Sequence, residues 1–143
     1  MSDSVELANL YRDVILRHAA SPCNHGVCID ATHRARGNNP LCGDEVEIYL
    51  RIEDGVVVAG AFHGESCAIC MASASVLCQH LPGRSVADLE LLTAAFEQAL
   101  AGDDASGLAD FLVPLTGVQR YPSRVGCALL PWQTALVAEQ LVV

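Results

Sequence analysis

Between residues 3 and 20, apolar side chains return every three or four positions: Leu7, Leu10, Tyr11, Val14 and Ile15, with His18 on the same face. That period predicts an amphipathic helix. Asp3, with Glu6 three residues later, can cap its start. Ser21-Pro22 stops it, because proline neither continues a helix nor favours helical geometry in the residue before it. Residues 23–41 show no period and carry Gly26, Gly37, Asn38, Asn39 and Pro40, so they read as irregular. From Glu45 the period becomes two. Val46, Ile48, Leu50 and Ile52 alternate with Glu45, Glu47, Arg51 and Glu53, the pattern of a half-buried strand. Asp54-Gly55 signals a tight hairpin, with residues 56–62 as the returning strand.

Helical spacing resumes after Gly64-Glu65-Ser66, over residues 67–81, and Pro82-Gly83 ends it. Ser85-Val86-Ala87-Asp88 reads as the next helix start, with Leu89, Leu92, Phe96 and Leu100 following on one face. Gly102-Asp103-Asp104 breaks that helix. A short helix is expected over residues 108–112, and a last one over 127–141. A hairpin needs cover on one face, which these helices can supply. No repeat, low-complexity tract or linker interrupts the chain, so residues 1–143 read as a single domain.

Composition narrows the chemistry. With 8 basic and 17 acidic residues the formal charge is −9, which argues against a nucleic-acid partner. The start of the chain lacks the features of an export signal. No apolar stretch is long enough to span a bilayer, so no membrane association and a cytoplasmic location are expected. Seven cysteines are present. In a reducing compartment that number favours metal binding or thiol chemistry over disulfides.

Three segments carry the strongest candidates: Cys42-Gly43-Asp44, Cys67 and Cys127. Three thiolates and one carboxylate make the ligand count of a tetrahedral site, and they suit zinc or an iron–sulfur cluster. Cys42 and Asp44 flank a glycine that permits an unusual backbone and lets both aim at one ion. The same residues also fit a buried cysteine beside a turn aspartate. Cys67 and Cys127 each fall at the start of a helix, where free N–H groups and the helix dipole favour thiolate. Taken singly, each also fits an inert core cysteine. Cys70, one turn beyond Cys67, reads as an accessory thiol or core, and Cys78 as core. Cys23 and Cys28, with His25 between them, have no matching second pair and suit a plain loop. His18 reads as a packed histidine, and Trp132 as core or a partner contact. Arg124, three residues before Cys127, fits a surface arginine, or a guanidinium steadying a thiolate or an anionic partner group.

With these residues located, the chain resembles the IscU/SufU/NifU-N-terminal family of iron–sulfur assembly proteins. The likeness runs through Leu10-Tyr11-Arg12-Asp13-Val14-Ile15 with His18, Ser21-Pro22-Cys23-Asn24-His25-Gly26 and Asn39-Pro40-Leu41-Cys42-Gly43-Asp44. It continues through residues 64–75 around Cys67 and through Arg124-Val125-Gly126-Cys127. A long segment between the second and third cysteine motifs is similar to the SufU branch, as is Arg124. Arg120-Tyr121-Pro122-Ser123-Arg124 stands where IscU proteins carry a chaperone-binding Leu-Pro-Pro-Val-Lys. Gly126 stands where IscU has a histidine.

The resemblance implies an α+β fold, with a small antiparallel sheet packed against several helices. It also implies a third strand around residues 33–38, which the periodicity does not show. It implies Zn²⁺ on Cys42, Asp44, Cys67 and Cys127. The activity implied is that of a zinc-dependent sulfurtransferase, accepting persulfide sulfur from a SufS-like cysteine desulfurase and passing it to a downstream Suf-type scaffold. Cys42 is the expected acceptor, since it lies on a turn while the other two cysteines are anchored to helices, with Arg124 neutralising the position it vacates. The alternative is a scaffold holding a labile [2Fe–2S] cluster, or iron, on Cys42, Cys67 and Cys127 with Asp44. A structural zinc or thiol-redox module is the alternative of another class.

Overall fold

The computed structural model describes residues 2–103 and 105–143, with side chains from Glu6 onward. The Asp3 side chain and Asp104, invoked above for a cap and a break, lie outside the described residues. Helix α1 spans Ser2–Ala20. Strands β1 (His33–Asn39), β2 (Asp44–Glu53) and β3 (Val56–His63) form an antiparallel sheet in the order β1-β2-β3. Helices α2 (Ala68–His80) and α3 (Val86–Leu100) follow. Two 3₁₀ segments, Val113–Arg120 and Pro122–Arg124, lead into α4 (Val125–Ala138). The architecture is α+β.

The β2 alternation holds in three dimensions. Val46, Ile48 and Leu50 are buried, while Glu47 on the opposite face pairs with Arg36 at 2.8 Å. Asp54 and Gly55 both adopt positive φ (51° and 74°) and Glu53 faces Val56. This is the two-residue turn whose twist matches the flanking strands. Helix α4 packs across β1 and β2, and α2 lies against β3, α1 and α4. Trp132 of α4 is fully buried, edge-on to Phe96 and stacked near Phe111, so it belongs to the core. Ser85 caps α3 by accepting the Asp88 N–H.

Three expectations need correction. Residues 33–39 form a strand, although the periodicity marked all of 23–41 as irregular. In His33-Arg34-Ala35-Arg36-Gly37-Asn38-Asn39 only Ala35 is buried. Its place comes from the ladder to β2 and from the close approach of α4: a Cβ at Gly37 would collide with the Thr134 hydroxyl. No helix forms over 108–112, where the chain turns instead. Pro114 opens the 3₁₀ segment rather than closing a helix, because its fixed φ suits a first turn. Helix α4 starts two residues before Cys127 and ends at Ala138. Beyond it, the Leu141 carbonyl and Val143 N–H bond the backbone beside and within β1. Pro131 lies inside α4; the Ser73 hydroxyl donates to the Ala128 carbonyl nearby, at 2.6 Å.

Candidate metal centre

The β1–β2 turn and the N-termini of α2 and α4 meet at one end of the sheet. The turn is tight: the Asn39 carbonyl accepts the N–H groups of Cys42 (3.2 Å) and Gly43 (2.9 Å), and Gly43 takes φ +71°. That conformation is easy only for glycine, and it lets the Cys42 and Asp44 side chains converge. Sγ of Cys42, a carboxylate oxygen of Asp44 and Sγ of Cys127 lie within 4.8 Å of one another. Cys42 Sγ and Cys127 Sγ are 2.9 Å apart as free thiols.

Asp44 is the hinge of the arrangement. It is 1 % exposed. Its Oδ1 accepts the Cys67 N–H at 2.8 Å, satisfying a free donor at the start of α2, and its Oδ2 lies 3.8 Å from Cys67 Sγ. Cys67 is the N-cap of α2, and its sulfur accepts the Cys70 N–H at 3.5 Å. It therefore stands at the edge of the three-donor group, turned toward its own helix.

A tetrahedral zinc site, with bonds of about 2.3 Å to sulfur and about 2.0–2.2 Å to oxygen, sets neighbouring donors about 3.5–3.8 Å apart. The Cys67–Asp44 separation matches that spacing and the Cys42–Cys127 pair is closer. The donor set thus fits a small thiophilic cation.

Without a cation, the surroundings of Cys127 disfavour its charged form. Burial pushes the Cys127 thiol well up, and its hydrogen bonds with Cys42 and Asp44 add to the shift. The helix start alone therefore does not hold Cys127 as thiolate: burial and its thiol and carboxylate neighbours favour the neutral form. A bound cation would restore the thiolate. Arg124, exposed on the 3₁₀ turn before α4, has its guanidinium pKa raised by a hydrogen bond with Cys127 and by the charges of Cys42 and Cys67. It stands as the cationic rim of the group.

The remaining cysteines fall elsewhere. Cys70 is buried, and desolvation pushes its thiol up to about 12. Cys78 is buried and pushed up likewise. Cys28 is exposed and Cys23 half-buried, with the Cys23 N–H bonded to Ser75 Oγ; neither joins the three-donor group. His18 is buried and its Nδ1 bonds the same Ser75 hydroxyl at 2.6 Å. Burial lowers its pKa, as suits a neutral packed histidine. Two neighbours of the centre escaped sequence reasoning: Asn39, whose amide Nδ2 donates to Cys127 Sγ at 3.7 Å, and the Ser123 carbonyl, 3.5 Å from Cys42 Sγ. Both contacts span more than 80 residues, and no local spacing announces them.

Residues 10–128 match the family described as the NifU-like N terminal domain. The zinc-dependent sulfurtransferase SufU of Bacillus subtilis (strain 168) is 35% identical over 93% of this chain and 91% of its own length. The iron–sulfur cluster assembly scaffold protein IscU of Thermotoga maritima is 35% identical over 87% of this chain and 89% of its own. The solved structure of SufU from Fervidobacterium islandicum AW-1 superposes with a TM-score of 0.82 at 30% identity, covering 90% of this chain and 96% of that one. With the match spanning all three cysteine segments, this chain belongs to the NifU-like N-terminal domain family.

Proposed function

We propose that this protein serves iron–sulfur cluster assembly as a zinc-dependent sulfur acceptor, taking persulfide sulfur from a cysteine desulfurase and handing it to a downstream scaffold. The observation that carries the reading is the donor group of Cys42, Asp44 and Cys127, with Cys67 against Asp44. It occurs in a chain similar to a zinc-dependent sulfurtransferase.

Zinc on Cys42, Asp44, Cys67 and Cys127 would keep the thiols deprotonated near neutral pH. Cys42 is the acceptor. It lies half-buried on the turn, beside Leu41, which is 88% exposed. Its sulfur attacks the outer sulfur of the donor's persulfide. A Cys42 S–S bond forms as the donor's S–S bond breaks, and the donor cysteine leaves with the electron pair as thiolate. Sulfur moves with no net oxidation. Arg124 counters the negative charge of the persulfide sulfurs, while Asp44 remains tied to the α2 N-terminus through the Cys67 N–H.

The likeness to an IscU scaffold favours a second reading, a [2Fe–2S] cluster built on the same residues. The test is metal analysis of the purified protein together with a desulfurase assay and anaerobic reconstitution. Tight zinc with strong stimulation of the desulfurase supports the acceptor. A visible absorption band with two iron and two sulfide per chain supports the scaffold. Stimulation that survives Cys42→Ala overturns the acceptor assignment.

A further inference from the structure

Asn39 closes β1, opposite Asp44 in the strand register, and it touches both sulfur-bearing segments. Its carbonyl accepts the N–H groups of Cys42 and Gly43. Its Oδ1 accepts the Leu41 N–H at 3.2 Å. Its Nδ2 donates to Cys127 Sγ at 3.7 Å. The two sulfurs at the heart of the centre therefore differ in their surroundings. Cys127 receives the Asn39 amide N–H, whereas Cys42 donates to the Ser123 carbonyl; between the two, Cys127 Sγ donates to Cys42 Sγ at 2.9 Å.

Gly126 makes the amide contact possible. A Cβ built there would lie 3.0 Å from Asn39 Nδ2, closer than nine in ten real Cβ contacts. Its φ lies outside the left-handed range. The glycine thus provides space for the amide rather than an unusual backbone.

We infer that Asn39 is a positioning residue that makes the two sulfurs unequal. Its amide holds Cys127 as the quiet, fixed ligand, and Cys42 is left as the nucleophile. A hydrogen bond to a metal-bound thiolate withdraws electron density from sulfur and fixes its direction. Cys42 has no amide donor on its sulfur and sits on a turn rather than within a helix, so it keeps more of its nucleophilicity. Gly126 and Asn39 act as a pair, the absence of a side chain at one admitting the amide of the other. The inference rests on the sulfur-acceptor reading for its consequence, but not for its geometry.

The test compares the zinc-loaded full chain with Asn39→Asp and Gly126→Ala. Asn39→Asp keeps an oxygen for the Leu41 N–H and loses the donor. Gly126→Ala keeps the amide and pushes it aside. The readout is the ratio of iodoacetamide labelling at Cys127 to that at Cys42, mapped by peptide mass spectrometry. It is followed by the position of the persulfide after incubation with a cysteine desulfurase and cysteine. A hydrogen bond to a charged partner predicts that the ratio rises about tenfold in Asn39→Asp and in the same direction in Gly126→Ala. Persulfide would then begin to spread from Cys42 to Cys127. A role confined to shaping the turn predicts a wild-type ratio in Gly126→Ala, where the turn bonds are intact, and that result overturns the inference. A raised labelling ratio with no persulfide on any cysteine supports the inference and removes the sulfur-acceptor reading. An unchanged ratio with persulfide on Cys42 does the reverse.

Discussion

Removing the Asp44 carboxylate separates what it does for the fold from what it does for a metal. Asp44 is 1 % exposed and its Oδ1 accepts the Cys67 N–H at 2.8 Å. Asp44→Ala leaves that part-buried N–H without its partner, a cost of about 1–3 kcal/mol. It also removes a negative charge from the start of α2, worth a further ~0.3–1 kcal/mol. We expect a loss of about 2–3 kcal/mol, or roughly 4–12 °C in melting temperature for a chain of this size. Asp44→Asn keeps an oxygen in the same place and loses only the charge, so it should cost under about 1 kcal/mol. Urea unfolding followed by circular dichroism, after chelator treatment, measures both. Zinc titration of the same two variants then reports the ligand role. Loss of a direct donor should weaken binding by more than the 10–100-fold typical of outer-shell changes, and equally for Ala and Asn. The reasoning fails if metal-free Asp44→Asn is as unstable as Asp44→Ala, or if Asp44→Asn binds zinc like the wild type. If Asp44→Ala destabilises the fold and leaves sulfur transfer unchanged, a structural zinc module becomes the better description.

Thiol labelling should sort the other cysteines. Exposed Cys28 reacts in the native protein, whereas buried Cys70, whose thiol is pushed up to about 12, and Cys78 react only on unfolding; native labelling of Cys70 at pH 8 would contradict its placement. His18 should impose an acid slope on stability. Its folded pKa is lowered by burial, so the folded state binds fewer protons than the unfolded one. The contribution is then full above the ordinary value of about 6.5 and is lost as pH falls below it. Melts from pH 7.5 to 5 should show a shallower decline in His18→Gln than in the wild type. Leu41→Ala, at an 88% exposed position beside Cys42, should leave stability within about 0.5 kcal/mol while weakening stimulation of a desulfurase, and equal stimulation would remove Leu41 from the partner surface.

The elements legible in the chain were those whose signal is local. The 3.6 period of α1, the period-two alternation of β2, the Asp54-Gly55 turn and the Ser85 cap each involve neighbours within a few residues, and each forms where its spacing indicates. Strand β1 was not legible from its period, because a strand with one buried side chain carries almost no hydrophobic signal. It was named only through the family resemblance. Residues 108–112 misled because Pro114 reads equally as a stop and as a first turn, and packing of Leu112, Leu115 and Val118 into the core decides between them.

The centre divides in the same way. Residue type and spacing by themselves determined which side chains are candidates: Cys42 and Asp44 around a glycine, with Cys67 and Cys127 at helix starts. Only the tertiary structure decided how they stand to one another. It closes Cys42, Asp44 and Cys127 into one group and turns Cys67 toward its own helix. It also buries Cys127 among neighbours that favour its neutral thiol. The Asn39 amide and the Ser123 carbonyl give the two facing sulfurs opposite neighbours, across 88 and 81 residues of chain. Sequence fixes the chemistry of a donor locally, whereas its ionisation and reactivity depend on burial and on partners that distant segments bring to it.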